Sequence, residues 1–192
     1  VRTISGVPSW ILVLLQKILE VKRVENISQV WPNLELYMHG GVSFAAYKNQ
    51  FEKLIPKGIN YLETYNASEG FFGIQDQKNS EEMLLMLDYG IFYEFIPIEK
   101  IDKQNAIPLW EVEIKKTYAM VISTNAGLWR YQIGDTVIFT SINPYRIKIN
   151  GRVSQFINAF GEELTIANAE KAIQIACEKT NANVNEYTAG PK

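Results

Sequence analysis

Apolar residues recur along this chain in two periods, first the three-and-four spacing of helices and later the alternation of strands. Pro8 is followed by Trp10, Ile11, Leu14, Leu15, Ile18 and Leu19, which predicts an amphipathic helix with Pro in its first turn. Asn33 to Met38 is a short apolar stretch running into Gly40-Gly41, which predicts a strand entering a tight turn. Ser43 stands where it can cap a second helix, on which Phe44, Tyr47, Phe51, Leu54 and Ile55 share a face. Pro56, Lys57 and Gly58 end that helix, and Ile59 to Thr64 returns as a strand. Strand, helix and strand within about thirty residues make a βαβ unit with parallel strands and a right-handed crossover.

The pattern then changes. Phe71–Gln75, Met83–Asp88, Ile91–Ile98, Thr117–Thr124, Thr136–Thr140 and Tyr145–Ile149 are strand-like runs joined by short turns. They predict an antiparallel sheet or small barrel beside the βαβ part, an α/β chain of mixed α+β character. Ala167 to Lys179 reads as a closing helix, with Ala169, Ala172, Ile173 and Ala176 at helical spacing.

Composition narrows the function classes. The 192 residues suffice for one large domain, or one domain plus part of another. The chain is 47% hydrophobic and 21% charged with net charge -2, which gives no field attractive to nucleic acid. The longest apolar run, Trp10 to Leu15, is too short to span a membrane. No stretch has the order of a signal peptide. The single Cys177 and single His39 rule out an internal disulfide and a Cys/His metal cluster, and a reducing cytoplasm is the expected location. The chain opens at Val1 and enters Ile4-Ser5-Gly6-Val7-Pro8 at once, so a fragment of a longer protein is expected.

Three stretches carry candidate chemistry. Tyr65-Asn66-Ala67-Ser68-Glu69-Gly70 falls where a parallel strand should end, the place where α/β sheets collect ligands. A Tyr can stack on a base, and Ser68 beside Glu69 can serve a phosphate and its magnesium ion; a polar loop is the plain alternative. In Trp129-Arg130-Tyr131-Gln132-Ile133-Gly134-Asp135 a carboxylate behind a Gly turn can accept both hydroxyls of a ribose. The alternative is an ordinary turn opening a strand, with Arg130 paired to Asp135. In Gly151-Arg152-Val153-Ser154-Gln155-Phe156-Ile157-Asn158-Ala159-Phe160-Gly161, the Gly and Arg can be a solvated turn and the apolar residues can simply pack. His39 is either structural or a ligand contact, and Ile91–Phe95 is either core or the lining of an acyl pocket.

In this order the three stretches resemble the motifs of the acyl-adenylate-forming ligases. Tyr65 to Glu69 is similar to a Tyr-Gly-x-Thr-Glu motif, with Asn for Gly and Ser for Thr. Ile133-Gly134-Asp135 is similar to Thr-Gly-Asp, and Gly151-Arg152 with Ile157 and Gly161 matches a third motif in register. Gly6-Val7-Pro8-Ser9-Trp10, the Tyr-x-x-Ser-Glu spelling and Asn125-Ala126-Gly127-Leu128-Trp129-Arg130-Tyr131 resemble more specifically the auxin-responsive acyl acid amido synthetases. Gln155 departs from the Asp or Lys usual at the superfamily's hinge.

The resemblance implies ATP and magnesium as cofactors. It also implies a small carboxylic acid as substrate, and an amine such as an amino acid, or a thiol, as acceptor. It implies that Gly40, Gly41 and Val42 line the adenine and that Tyr65 lies against its face. Ser68 would contact phosphate, Glu69 would help to hold magnesium, and Asp135 would take the ribose hydroxyls with Arg152 near the same sugar. It places a phosphate loop before Val1 and a catalytic Lys beyond Lys192. Residues 1–152 would then be the C-terminal part of a large domain, and 153–192 the beginning of a smaller one.

Overall fold

A computed structural model describes residues 1–41, 44, 47–78, 80–103, 105–153, 157–159, 162–164, 166–180, 182 and 184. The chain forms two compact units, one of Val1–Thr64 with the last helix from Ala169 onward, the other of Tyr65–Asn168.

In the first unit β1 (Thr3–Ser5), β2 (Leu36–His39) and β3 (Asn60–Ala67) are adjacent and parallel. Helix α1 (Pro8–Lys22) joins β1 to β2, and α2 (Lys48–Leu54) joins β2 to β3. The expected βαβ unit is therefore present. Pro8 sits in the first turn of α1, where its missing N–H costs nothing. Arg23 ends the helix in the left-handed region, its N–H returning to the last carbonyls.

The buried face of α1 is rotated from the expected one. Pro8, Leu12 and Leu15 are buried with Ile11, Ile18 and Leu19 against them, whereas Trp10 and Leu14 are exposed. Every position in 10–15 is apolar, so periodicity alone does not select the face. The α2 helix starts at Lys48, later than expected, and the proposed cap Ser43 lies outside the described residues. This unit's core stacks Tyr37 on Phe51 at 4.7 Å, with Leu15, Ile27, Leu34 and Ile55 around them.

In the second unit β4 (Gly70–Ile74), β5 (Met83–Leu85), β6 (Ile91–Pro97), β7 (Ile107–Pro108), β8 (Thr117–Thr124), β9 (Tyr131–Ile142) and β10 (Tyr145–Arg152) form an antiparallel array. Their order is β4-β5-β10-β9-β8-β6-β7. Strand β8 lies inside this order, which explains its unbroken apolar run. Tyr118, Met120 and Ile122 enter the main core, while Ala119 and Val121 enter a smaller one on the other face. Phe95, Tyr118 and Phe139 meet edge to face in the main core. A hairpin of β11 (Ile157–Ala159) and β12 (Glu162–Leu164) follows, and then α3 (Ile166–Thr180). The expected strands are all found, with β1, the two-residue β7 and this hairpin in addition.

Gly40 follows β2 at a point where a Cβ would meet the Thr64 carbonyl oxygen at 2.3 Å. Gly58 has φ +74° with open space around it. Gly40→Ala should therefore cost on the order of 3 kcal/mol, because rigid backbone must move. Gly58→Ala should cost about 1 kcal/mol, for the left-handed conformation alone. Urea midpoints of the two variants check this, and equal losses would mean that β2 and β3 can separate freely at Gly40.

Candidate functional site

Three strands supply the side chains that meet in the second unit. Tyr65 comes from the last residues of β3, Asp135 from β9 and Arg152 from the end of β10. Asp135 and Arg152 are cross-strand partners, and the ladders on both sides of Asp135 are irregular. Gly134 at φ +87° and Gly151 at φ +113° make those irregularities possible, because a side chain at either position would strain the backbone. Thr136, fully buried, ties the two irregular segments by donating from Oγ1 to the Gly151 carbonyl at 3.2 Å. Asp135 is thus aimed by a bulge inside β9, which already begins at Tyr131. The sequence expectation had placed it in a turn ahead of a strand at Thr136.

Both oxygens of the Asp135 carboxylate are engaged. The Tyr65 hydroxyl donates to Oδ2 at 2.8 Å, and Arg152 Nε donates to Oδ1 at 2.9 Å. Burial, and then the Asp135 charge, push the Tyr65 pKa far above its ordinary value, so its proton stays on the phenol. The bond to Asp135 likewise raises the Arg152 pKa. Arg130 does not pair with Asp135; its Nε donates to Glu94 at 3.0 Å.

Tyr65 differs from its expected role. The residue is 5% exposed and its ring packs on Phe72 at 5.0 Å, so it offers no open face to a base. Strand β3 also runs through Ala67, so the motif is not a loop following a strand. Only Ser68-Glu69 form the turn into β4, with Ser68 exposed and Glu69 half-buried. Glu69 is near enough for its charge to act on Arg152.

The other candidates have structural explanations of their own. Gly40 is required by the close approach to Thr64, and Gly41 sits at φ +85°. Val42 and Gln155 lie outside the described residues. Tyr93 and Phe95 of the Ile91–Phe95 run are core residues. His39 is buried in the first unit, stacked on Phe44 at 4.2 Å.

A carboxylate has about four acceptor positions. Two are used at Asp135, and its side chain is still 16% exposed, so the group fits a diol that donates two further bonds. For a metal, no group of three or more His, Cys, Asp or Glu side chains gathers among the described residues. Glu69 beside Ser68 fits magnesium, which is commonly held by one or two carboxylates plus phosphate oxygens and water.

Two family models match the sequence, the GH3 family N-terminal domain over residues 1–59 and the GH3 family central domain over residues 84–152. The chain belongs to the GH3 family. One GH3 relative, a probable indole-3-acetic acid-amido synthetase GH3.9 of Oryza sativa subsp. japonica, is 32% identical over 123 residues. That match covers 61% of this chain and 28% of the relative. The solved structure of AtGH3.15 acyl acid amido synthetase in complex with 2,4-DB shares the fold at TM-score 0.64 and 18% identity, over 80% of this chain and 28% of that one. An open conformation of 2-hydroxyisobutyryl-CoA ligase in complex with 2-HIB-AMP and CoA shares it at TM-score 0.58 and 16% identity, over 85% of this chain and 39% of that one. This GH3 chain spans well under half the length of the proteins it matches.

Sequence reasoning named Tyr65, Asp135 and Arg152, and put the last two near one sugar, but missed the hydrogen bonds that join the three. Tyr65 and Asp135 are 70 residues apart, and no local pattern reports such a contact. It also missed Arg146, whose two terminal nitrogens bind the two carboxylate oxygens of Asp76, one of them at 2.9 Å.

Burial lowers the His39 pKa to about 4 from 6.5. The folded value lies below the unfolded one, so its contribution is whole above pH 6.5 and is lost as pH falls toward 4. Between pH 7 and pH 5 this GH3 chain should lose about 2 kcal/mol of stability through this group. Since the chain has one His, His39→Phe should flatten the slope of stability against pH over that interval; an unchanged slope would contradict the assignment.

Proposed function

We propose that this chain carries the nucleotide-binding part of an ATP-dependent ligase, which joins a carboxylic acid to an amine through an acyl-adenylate. The carboxylate held by Tyr65 and Arg152, in a GH3-family chain, carries this reading. In the reaction a carboxylate oxygen attacks the α-phosphorus of ATP and pyrophosphate leaves. The amine then attacks the acyl carbon, AMP leaves, and the amine gives up a proton. Such chemistry depends on orientation and charge stabilisation more than on covalent help from the protein.

On this reading Asp135 accepts both ribose hydroxyls and Arg152 holds Asp135 while flanking the same sugar. Gly40, Gly41 and Val42 border the base. Tyr65 supports the site through its hydroxyl rather than its ring. Ser68 meets phosphate, and Glu69 would hold magnesium, which supplies charge neutralisation at the phosphates when bound. An amine acceptor is favoured over a thiol by the Oryza sativa GH3 relative, which is an amido synthetase by name. The likeness to the CoA ligase, at 16% identity, concerns the fold alone. Residues 1–152 belong on this reading to the large adenylate-forming domain and 153–192 begin a smaller one; the central-domain match ends at 152. The composition and the single Cys177 support a cytoplasmic site of action. No helix among the described residues is long and apolar enough to cross a membrane.

The ribose assignment is tested by titrating ATP and 2′,3′-dideoxy-ATP onto the wild-type chain and Asp135→Ala. Loss of two charge-assisted bonds, about 2–4 kcal/mol after water compensates in part, should weaken ATP binding roughly 30- to 1000-fold. The variant should no longer distinguish the two nucleotides. A folded Asp135→Ala that keeps the diol preference contradicts the assignment.

Glu69→Gln tests the metal. It should weaken magnesium–ATP binding while leaving adenosine binding near the wild-type value. Equal loss of both affinities would give Glu69 a structural role in the β3–β4 turn.

A further inference from the structure

We propose that Tyr65 is a positioning residue that sets the rotation of the Asp135 carboxylate and thereby the chain's preference for a ribose diol, an inference that rests on the ribose reading above. A carboxylate fixed by one donor can still turn about its Cβ–Cγ bond. Arg152 alone is such a donor, and its side chain is 57% exposed, on a long stem that yields readily. Tyr65 is of another kind. Its ring is enclosed in the core against Phe72, so its hydroxyl reaches Asp135 Oδ2 from a fixed point at 2.8 Å. The two donors approach different oxygens from different strands, and together they leave one orientation of the remaining lone pairs.

The hydroxyl keeps its proton in this setting and donates it to the carboxylate. Burial and the adjacent carboxylate hold its proton in place, so it never becomes a second anion beside Asp135. A Tyr that merely filled the core would need no partner at its tip beyond one satisfied hydrogen bond. Here the partner is the residue assigned to the ligand, which makes the hydroxyl's effect on binding measurable apart from its effect on packing.

The test uses the full 192-residue chain with ATP and 2′,3′-dideoxy-ATP as probes, with melting temperature recorded alongside. Tyr65→Phe keeps the ring and removes the hydroxyl. It should weaken ATP binding about tenfold and leave dideoxy-ATP binding unchanged, so the diol preference shrinks by the same factor. Phe72→Leu loosens the ring's packing and should lower the melting temperature while keeping the preference. If Tyr65→Phe unfolds, 3-fluorotyrosine at position 65 replaces it; the more acidic phenol donates more strongly and should raise the preference about two- to threefold. An unchanged preference in Tyr65→Phe, or in the fluorinated chain, overturns the positioning role. If Asp135→Ala loses the preference while Tyr65→Phe keeps it, the ribose site stands and this proposal alone fails. If Asp135→Ala keeps it, the ribose reading fails and the proposal falls with it.

Discussion

A carboxylate that is mostly withdrawn from water has to find donors, and at Asp135 that requirement organises the second unit. Leaving such a charge unpaired costs several kcal/mol. Two donors on two other strands meet it, one from the end of β3 and one from the end of β10. To bring them together the ladder around Asp135 departs from regular pairing on both sides, and glycines take the two conformations that other residues avoid. The glycines, the bulges and the buried Tyr hydroxyl are consequences of one group's need for partners.

The same sheet contains a second pairing of this kind, and the contrast is informative. Arg146 binds Asp76 through both terminal nitrogens, and its side chain is 8% exposed. A pair closed around a buried guanidinium has its donors and acceptors facing each other, which is what anchoring the segment after β4 to β10 requires. At Asp135 the arrangement is the other way round, with Arg152 largely solvent-facing and the carboxylate mostly enclosed. The two pairs differ in which partner is enclosed: at Arg146–Asp76 it is the guanidinium, with the carboxylate 34% exposed, and at Arg152–Asp135 it is the carboxylate, 16% exposed.

Much of the fold is legible in the sequence where burial on one or two faces leaves a periodic trace. The apolar run of β8 reads correctly because both of its faces are covered. The βαβ unit reads correctly because Gly40-Gly41 and Pro56-Lys57-Gly58 punctuate it. Failures occur where the local signal is degenerate. The face of α1 was misread since Trp10 and Leu14 are as apolar as Leu12, and only the tertiary contact separates them. The start of β9 was misread since a Gly followed by an Asp usually marks a turn, whereas here it is a bulge within a strand. For the site, motif order pointed to Asp135, Arg152, Ser68 and Glu69. The burial of the Tyr65 ring was not readable, because nothing within a few residues of Tyr65 reports Phe72 closing over it in a different strand.

The arrangement along β3 has one further consequence for how a nucleotide would lie. Tyr65, whose hydroxyl reaches the carboxylate, and Ser68, at the turn, are three residues apart on an extended chain, about 10 Å at a strand's rise per residue. That separation is on the scale of the reach from a ribose to the outer phosphates. With the sugar at Asp135, a single strand would set both ends of the ligand: its enclosed part fixes the group that reads the sugar, and its exposed turn presents the hydroxyl and carboxylate suited to phosphate and metal. On the function proposed above, the division would suit adenylate formation: the sugar would be unchanged and would benefit from a rigid partner in the core, whereas the phosphates would lose pyrophosphate and need contacts that can release it into water. A turn three residues beyond the buried Tyr65 supplies that difference in rigidity without a hinge.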